Sequence, residues 1–322
     1  QEPMRILITG ANGFVGRHLI AALQAAESAP AIQIFAATHS GAENDTHIEG
    51  NGPVEQVPLD IQDAGATQIL LADIRPTHIV HLAARSSGAD ADRPMVFAVN
   101  VEGTRHLLNA TRSLADLPRV LLVSTGYVYG NTEAQRPARE SDPLAAPGKF
   151  GAYTDSKVAM EAIAAEYRNL ALVVRAFSHT GPGQSATFAI PAFARQLARI
   201  ERGEQPPEIS VGNLEAQRDL LDVRDVVEAY RLLLEHGLPG ETYNVANGNP
   251  VAMREILDRL RTLCTTPTEV QIDLNRLRPA DISCSTGDAL KIRTVTGWQP
   301  RYTLDTTLHD TLAYWRTEGL AG

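Results

Sequence analysis

The sequence predicts an α/β protein in which a doubly wound parallel sheet carries a smaller, mostly C-terminal α/β substrate domain. Three observations predict it. Short apolar runs alternate with stretches of helical periodicity through residue 177, the pattern of β-α-β units whose sheet is covered on both faces. A glycine-spaced turn sits at the first strand-to-helix junction. After residue 177 the alternation gives way to shorter elements and turns rich in proline and glycine. The length of 322 residues, at roughly 150 per domain, fits two domains or one large unit.

Residues 5–9 are a short apolar run closed by Gly10, after which Val15, Leu19, Ala22, Leu23 and Ala26 recur on one helical face. Residues 31–38 and 54–59 read as the next strands, and 62–74 as an amphipathic helix. Further strands are expected at 77–83 and 119–125, with a helix within 93–115 between them. A helix through 153–168 leads into a strand at 170–177. Beyond it, 188–201 and 223–236 carry helical periodicity, 208–211 and 241–244 are extended, and two more helices fall near 253–263 and 305–318. The first domain is therefore assigned to 4–176 with 215–247, and the second to 177–214 with 248–318.

Composition narrows the function classes. A hydrophobic share of 43% and a charged share of 21% are ordinary for a globular chain. With 38 acidic against 29 basic residues the net charge is −9, and only 5% of residues are aromatic, so a nucleic-acid surface is not expected. An anionic ligand must be met by arginines gathered locally. No apolar run approaches the roughly 20 residues of a spanning helix, and the N-terminus lacks the basic and apolar regions of a signal peptide, so no membrane partner is expected. Cys264 and Cys284 are too few for a disulfide scaffold and lie outside any metal-ligand spacing, which predicts a reducing, cytoplasmic setting. His78 and His81 are three apart in a strand and face opposite sides, so they cannot share an ion, and no metal site is expected.

The turn Gly10-Ala11-Asn12-Gly13-Phe14-Val15-Gly16 has the spacing to let backbone amides approach a pyrophosphate at a helix N-terminus. At the end of the second strand, Ala37-Thr38-His39-Ser40 offers neither an acid for ribose hydroxyls nor an arginine for an extra phosphate. Thr38, His39 and Ser40 are able to hydrogen-bond a phosphate and Arg17 lies just inside the first helix, so the cofactor reading, NADPH or NADH, leans to NADPH. Tyr153 and Lys157 are four apart, on one helical face a turn from each other. The cation is expected to favour phenolate and lower the tyrosine pKa toward a useful acid or base value. A surface pair would show the same spacing; Ser124-Thr125, ending the preceding strand where such sheets present ligand contacts, marks it as a site. The Thr125 hydroxyl is then placed to bond the carbonyl that Tyr153 protonates.

With these motifs in place, the chain resembles the extended short-chain dehydrogenase/reductases that act on nucleotide sugars. The resemblance rests on the glycine turn, His81-Leu82-Ala83-Ala84, Asn100-Val101-Glu102-Gly103-Thr104, the run 124–130 ending in Val-Tyr-Gly, and the Tyr153/Lys157 pair. It implies a Rossmann domain, Thr125, Tyr153 and Lys157 as the catalytic set, and a homodimer through a helical bundle. It also implies cofactor contacts at Gly10, Asn12, Gly13, Phe14, Val15, Gly16, Thr38, His39, Ser40, Leu82, Ala83 and Ala84, with Asp60-Ile61 at the adenine and Tyr153 and Lys157 at the nicotinamide end.

Family members that are 4,6-dehydratases carry an acid two residues after the catalytic threonine, for eliminating water across C5 and C6. Here that residue is Tyr127, so plain hydride transfer is expected. Residues 175–184, 211–219 and 222–225 resemble GDP-4-keto-6-deoxy-D-mannose reductases, the GDP-D-rhamnose synthases. That resemblance places Arg218 and Arg278 at a diphosphate, Ser86 at the hexose and Arg195 near guanine. Ser178 stands where the family has asparagine, and Asp281 where relatives place a glutamate at the nucleotide ribose. The implied reaction is NAD(P)H-dependent reduction of GDP-4-keto-6-deoxy-D-mannose at C4, giving GDP-D-rhamnose or its epimer GDP-6-deoxy-D-talose. A C4 epimerase, a 4,6-dehydratase and a non-catalytic nucleotide-sensing module are the alternatives.

Overall fold

The computed structural model describes residues 3–26, 31–39, 54–86, 92–278 and 281–318. In chain order the first part comprises β1 (Met4–Thr9), α1 (Phe14–Ala25), β2 (Ile32–Thr38), β3 (Val54–Pro58), α2 (Ala64–Ile74) and β4 (His78–His81). There follow α3 (Arg93–Phe97), a π-helical turn at Ala98–Glu102, α4 (Gly103–Thr111), β5 (Arg119–Thr125), a 3-10 turn at Gly126–Tyr129, α5 (Ala152–Ala164) and β6 (Ala171–Ala176). The remainder holds β7 (His179–Thr180), α6 (Ala189–Glu201), β8 (Glu208–Val211), β9 (Gln217–Asp219), β10 (Leu221–Asp222), α7 (Val223–His236) and β11 (Thr242–Val245). It closes with β12 (Pro250–Ala252), α8 (Met253–Leu263), β13 (Glu269–Ile272), β14 (Cys284–Ser285), α9 (Leu290–Thr296) and α10 (Leu304–Glu318).

Seven strands form one parallel sheet in the order β11-β6-β5-β4-β1-β2-β3. This is the doubly wound arrangement expected. Successive strands are added outward from β1 in one direction and from β4 in the other, so the chain reverses between them. At such a switch point the connections diverge and leave a crevice at the strands' C-terminal ends. The apolar runs are explained by burial on both faces: Ile6 and Ile8 pack with α1, α7 and α9, whereas Leu7 between them packs with α2, α4 and α5.

A third core joins Phe193 and Leu197 of α6, Ile209 of β8, Ile256 and Leu260 of α8, and Leu308 and Leu312 of α10. Ala216 and Leu220 reach into it from either side of β9. Two- and three-stranded sheets, β10-β7, β12-β9-β14 and β13-β8, border this part. Among the described residues no helix is long and apolar enough to cross a membrane.

Candidate functional site

The crevice is lined first by the turn between β1 and α1. Gly10 has φ +65°, and a Cβ there would lie 2.9 Å from the Ala83 amide nitrogen. A Cβ at Gly16 would lie 2.4 Å from the Ala11 carbonyl oxygen. Helices α2, α3 and α7 are N-capped by Asp63, Asp92 and Asp222, but α1 starts at Gly13 with no side-chain cap and no acid in its first turn. Its leading amides are left open to an anion. Asn12 is exposed beside the turn, and Phe14 and Val15 are partly buried. These residues fit a dinucleotide pyrophosphate.

At the end of β2, Thr38 is partly buried and His39 is exposed, with its Nε2 3.7 Å from Asp60 Oδ2. Asp60 Oδ1 accepts the Gln62 N–H at 2.9 Å, and the neighbouring Ile61 is buried against Gly103. Ser40 lies outside the described residues. Arg17 donates to the Gly183 carbonyl at 3.3 Å, which ties it to the loop after β7. Helical position alone had not shown which neighbour it would meet.

Where β4 ends, His81 is buried in a hydrogen-bonded chain. Thr104 donates to the Asn100 carbonyl at 2.8 Å, so it accepts from His81 Nε2–H at 3.0 Å. Thr9 Oγ1 accepts the Ala83 N–H at 3.1 Å and donates to His81 Nδ1 at 2.7 Å. Burial, helped by the Lys157 charge, pushes the His81 pKa down to about 3. Asn100, in the π-helical turn, exchanges hydrogen bonds with the Arg85 backbone and donates to Ser156 Oγ, which donates to the Tyr153 carbonyl. Leu82 and Ala83 are partly buried along this edge; Ala84 and Ser86 are exposed.

Thr125 ends β5 and caps the 3-10 turn, its Oγ1 accepting the Tyr127 N–H at 3.2 Å. That leaves its own O–H available to a substrate oxygen. On α5, Lys157 is 4% exposed and donates from Nζ to the Val123 carbonyl at 3.0 Å. Its Nζ lies 5.8 Å from the centroid of the partly buried Tyr153 ring. The pKa expectation for this pair is corrected. Burial, reinforced by Tyr127, holds Tyr153 up at about 12, while burial draws Lys157 down to about 8 against the opposing pull of Glu161. Spacing placed the cation one turn away, but the desolvation of both groups is a tertiary effect and outweighs it. Ser124 Oγ, on the residue before Thr125, is buried without a partner among the described residues.

On the other wall, Ser178 Oγ is 3.3 Å from the Tyr127 hydroxyl. Arg218 donates to Asp281 Oδ1 at 3.1 Å, to the Gln217 carbonyl at 3.0 Å and to the Ile282 carbonyl at 2.6 Å. The structure thus brings Ser178, Arg218 and Asp281 into one strip with Tyr127, whose ring centroid is 5.5 Å from the Arg218 guanidinium. Arg278 is exposed on the segment approaching Asp281. Arg195 is exposed on α6 and set over the Trp315 ring at 5.9 Å, so it faces α10. His179, partly buried, bonds the Phe177 carbonyl at 2.8 Å through Nδ1, and burial lowers its pKa.

Three contributors are absent from the sequence reading. His81 enters there as a metal ligand set aside and as part of a family motif, with no role of its own, and Tyr127 only as the absence of a carboxylate. Asp219, buried beside Arg218, accepts the Asn247, Gly248 and Gly287 N–H groups and the Thr286 hydroxyl, fixing β9 to two loops. A carboxylate next to a candidate phosphate-binding arginine was the available signal. Among the described residues no group of three or more His, Cys, Asp or Glu is placed to hold a metal ion.

The family model described as GDP-mannose 4,6 dehydratase matches residues 7–311. The chain is 32% identical to GDP-6-deoxy-D-mannose reductase of Pseudomonas aeruginosa, covering 97% of each. It is 28% identical to GDP-6-deoxy-D-talose 4-dehydrogenase of Aggregatibacter actinomycetemcomitans, covering 93% of this chain and 94% of that one. The solved structure of RMD from Pseudomonas aeruginosa complexed with NADPH superposes with a TM-score of 0.81 at 30% identity, covering 98% of this chain and all of that one.

Proposed function

The chain belongs to the GDP-mannose 4,6 dehydratase family, and from that premise we propose that it is an NAD(P)H-dependent nucleotide-sugar reductase, converting the C4 ketone of GDP-4-keto-6-deoxy-D-mannose to the alcohol. One observation carries the choice within the family. Lys157 of α5 reaches the β5 backbone two residues before Thr125, and two residues after Thr125 stands the phenol of Tyr127, not a carboxylate.

A reduced nicotinamide dinucleotide, when bound, supplies the hydride to C4. Thr125 donates its free hydroxyl hydrogen to the carbonyl oxygen and orients it. Tyr153, held near 12, is protonated across the neutral range and delivers its proton to that oxygen as the hydride arrives at carbon. Lys157, charged below about 8, offers its remaining N–H groups to the phenolate left behind and to the cofactor ribose. The α1 turn with Thr38, His39, Asp60 and Ile61 holds the dinucleotide, NADPH or NADH. Arg218 and Arg278 take the diphosphate, for which arginine's fork suits the oxygens. Asp281 serves the nucleotide ribose, Ser86 and Ser178 the hexose, and Arg195 the base side.

The cofactor lobe is proposed to span 4–176 with 215–247 and the nucleotide-sugar lobe 177–214 with 248–318, with α9 of the second packed on the first lobe's core and Ala216 and Leu220 of the first reaching the second's. The enzyme works as a homodimer through a helical bundle in the cytoplasm, a reducing setting that suits its two free cysteines. Its product is GDP-D-rhamnose or GDP-6-deoxy-D-talose, feeding deoxyhexose assembly. The test is to supply GDP-4-keto-6-deoxymannose with NADPH or NADH, follow loss of the reduced cofactor and identify the sugar by NMR. Stoichiometric oxidation of the cofactor is expected; tightly retained NAD+ with no net consumption would instead identify a C4 epimerase.

A further inference from the structure

Tyr127 has a place in the site that the reaction just described leaves unused. Its N–H is donated to Thr125 Oγ1, the hydroxyl assigned to the reacting carbonyl, at 3.2 Å. Its ring centroid lies 5.5 Å from the guanidinium of Arg218, the residue assigned to the diphosphate. Arg218 does not wander, because three of its donors are committed to Gln217, Asp281 and Ile282. Tyr127 therefore connects the two ends of the substrate's path. A hexose whose C4 is at Thr125 and whose C1 bears the diphosphate must cross that same interval.

What Tyr127 offers along the interval is a pair of hydroxyls, its own and that of Ser178, 3.3 Å apart. Two hydroxyls carry two hydrogens, and their mutual bond uses one of them whichever oxygen donates. One O–H and several lone pairs remain. That set is complementary to a sugar hydroxyl, which also donates once and accepts. A carboxylate in place of Tyr127 would offer acceptors only.

We propose that Tyr127, paired with Ser178, is a specificity-determining residue that recognises a hexose hydroxyl of the bound nucleotide sugar. The proposal rests on the assignment of Thr125 to the carbonyl and Arg218 to the diphosphate. Neither hydroxyl of the pair moves a proton in the reduction, so the effect belongs to the affinity for the hexose and to KM rather than to the chemical step.

The test is calorimetric titration of wild type, Tyr127→Phe and Ser178→Ala with GDP and with GDP-mannose. Tyr127→Phe keeps the ring beside Arg218 and removes only the hydroxyl. GDP should bind it within about twofold of wild type, while the Kd for GDP-mannose rises about 5- to 100-fold, the cost of a buried partner left unpaired. Ser178→Ala should reproduce that loss, and the double variant should lose little more than either alone. An unchanged ratio of the two affinities, or equal weakening of both ligands, overturns the proposal. If wild type shows the Tyr127-dependent increment yet oxidises neither NADPH nor NADH with the keto sugar, the reductase reading falls and the role of Tyr127 stands. If wild type binds neither ligand, both fall.

Discussion

Lys157 gives one ammonium hydrogen to the Val123 carbonyl at 3.0 Å, so the charge beside Tyr153 is fixed by the backbone of β5 and not by a carboxylate. Replacing Lys157 with Met should remove that charge with little change in volume. Turnover should fall about 10- to 1000-fold, the span of a close charge acting on a neighbouring ionisation. Because burial draws this lysine to about 8, kcat/KM for reduction should decline as pH rises through about 8. A pH profile of the wild type flat to pH 9.5 would contradict the assignment.

Tyr153→Phe should lose about 100- to 10,000-fold in turnover while still binding GDP, since only the transferable proton has gone. Stopped-flow oxidation of the reduced cofactor, set beside calorimetric GDP binding, separates the two effects. Near-normal turnover would remove Tyr153 from its role.

The same groups set a pH dependence of stability. Between about 8 and 10.5 the unfolded chain holds a proton that native Lys157 has released, so this group makes stability rise with pH over that window. Tyr153 and Tyr129, both held near 12 by burial, act oppositely. From 10 to about 12 the native state keeps protons that the unfolded chain loses, and stability falls. Urea melts of wild type and Tyr153→Phe between pH 9 and 12 should show the alkaline fall to be shallower in the variant.

The glycines of the first turn should separate by variant. At Gly16 an added methyl would meet the Ala11 carbonyl at 2.4 Å, and Gly16→Ala should cost about 1–3 kcal/mol of stability. At Gly13 an added methyl would meet the Gly10 carbonyl oxygen at 3.2 Å, so Gly13→Ala should lose less Tm than Gly16→Ala and yet bind dinucleotide more weakly, because its methyl crowds the turn that approaches the pyrophosphate. Thermal melts and fluorescence titration with NADPH distinguish them. Equal cofactor affinity in Gly13→Ala and wild type would argue against the pyrophosphate site.

His81 is expected to stay neutral and protonated on Nε2 from pH 8 down to pH 4, which 15N NMR reads directly. Its two threonine partners dictate that tautomer. His81→Leu would leave the Thr9 hydroxyl hydrogen without its acceptor, at about 1–3 kcal/mol, and lower Tm accordingly. Titration of the ring near its ordinary 6.5 would show the hydrogen-bonded chain to be wrong.

Much of the sheet was legible because strands buried on both faces write continuous apolar runs, and residues 5–9 and 119–125 did so plainly. The helix expected within 93–115 is found as α3, a π turn and α4. One widened turn hardly disturbs an apolar pattern, so the sequence did not betray it. Strands of two or three residues, such as β7, β9 and β14, are too short to show any period. At the site, residue type and spacing identified Thr125, Tyr153 and Lys157 as candidates. The partners of His81 lie 72 and 23 positions away, and the exposure of a group such as Tyr153 is set by everything packed around it. Those facts exist only once the chain has folded.

The pairing of β6 with β11 bears on how the protein is made. Strand β6 is complete at residue 176, but its neighbour ends at residue 245, so a ribosome adding about 5–20 residues per second needs several seconds more to deliver it. Throughout that delay all six residues of β6, destined for full burial, form an uncovered edge. Nascent chains stalled or truncated between these points should aggregate, and yield in a heterologous host should depend on temperature and chaperone supply more than the finished enzyme's stability would suggest.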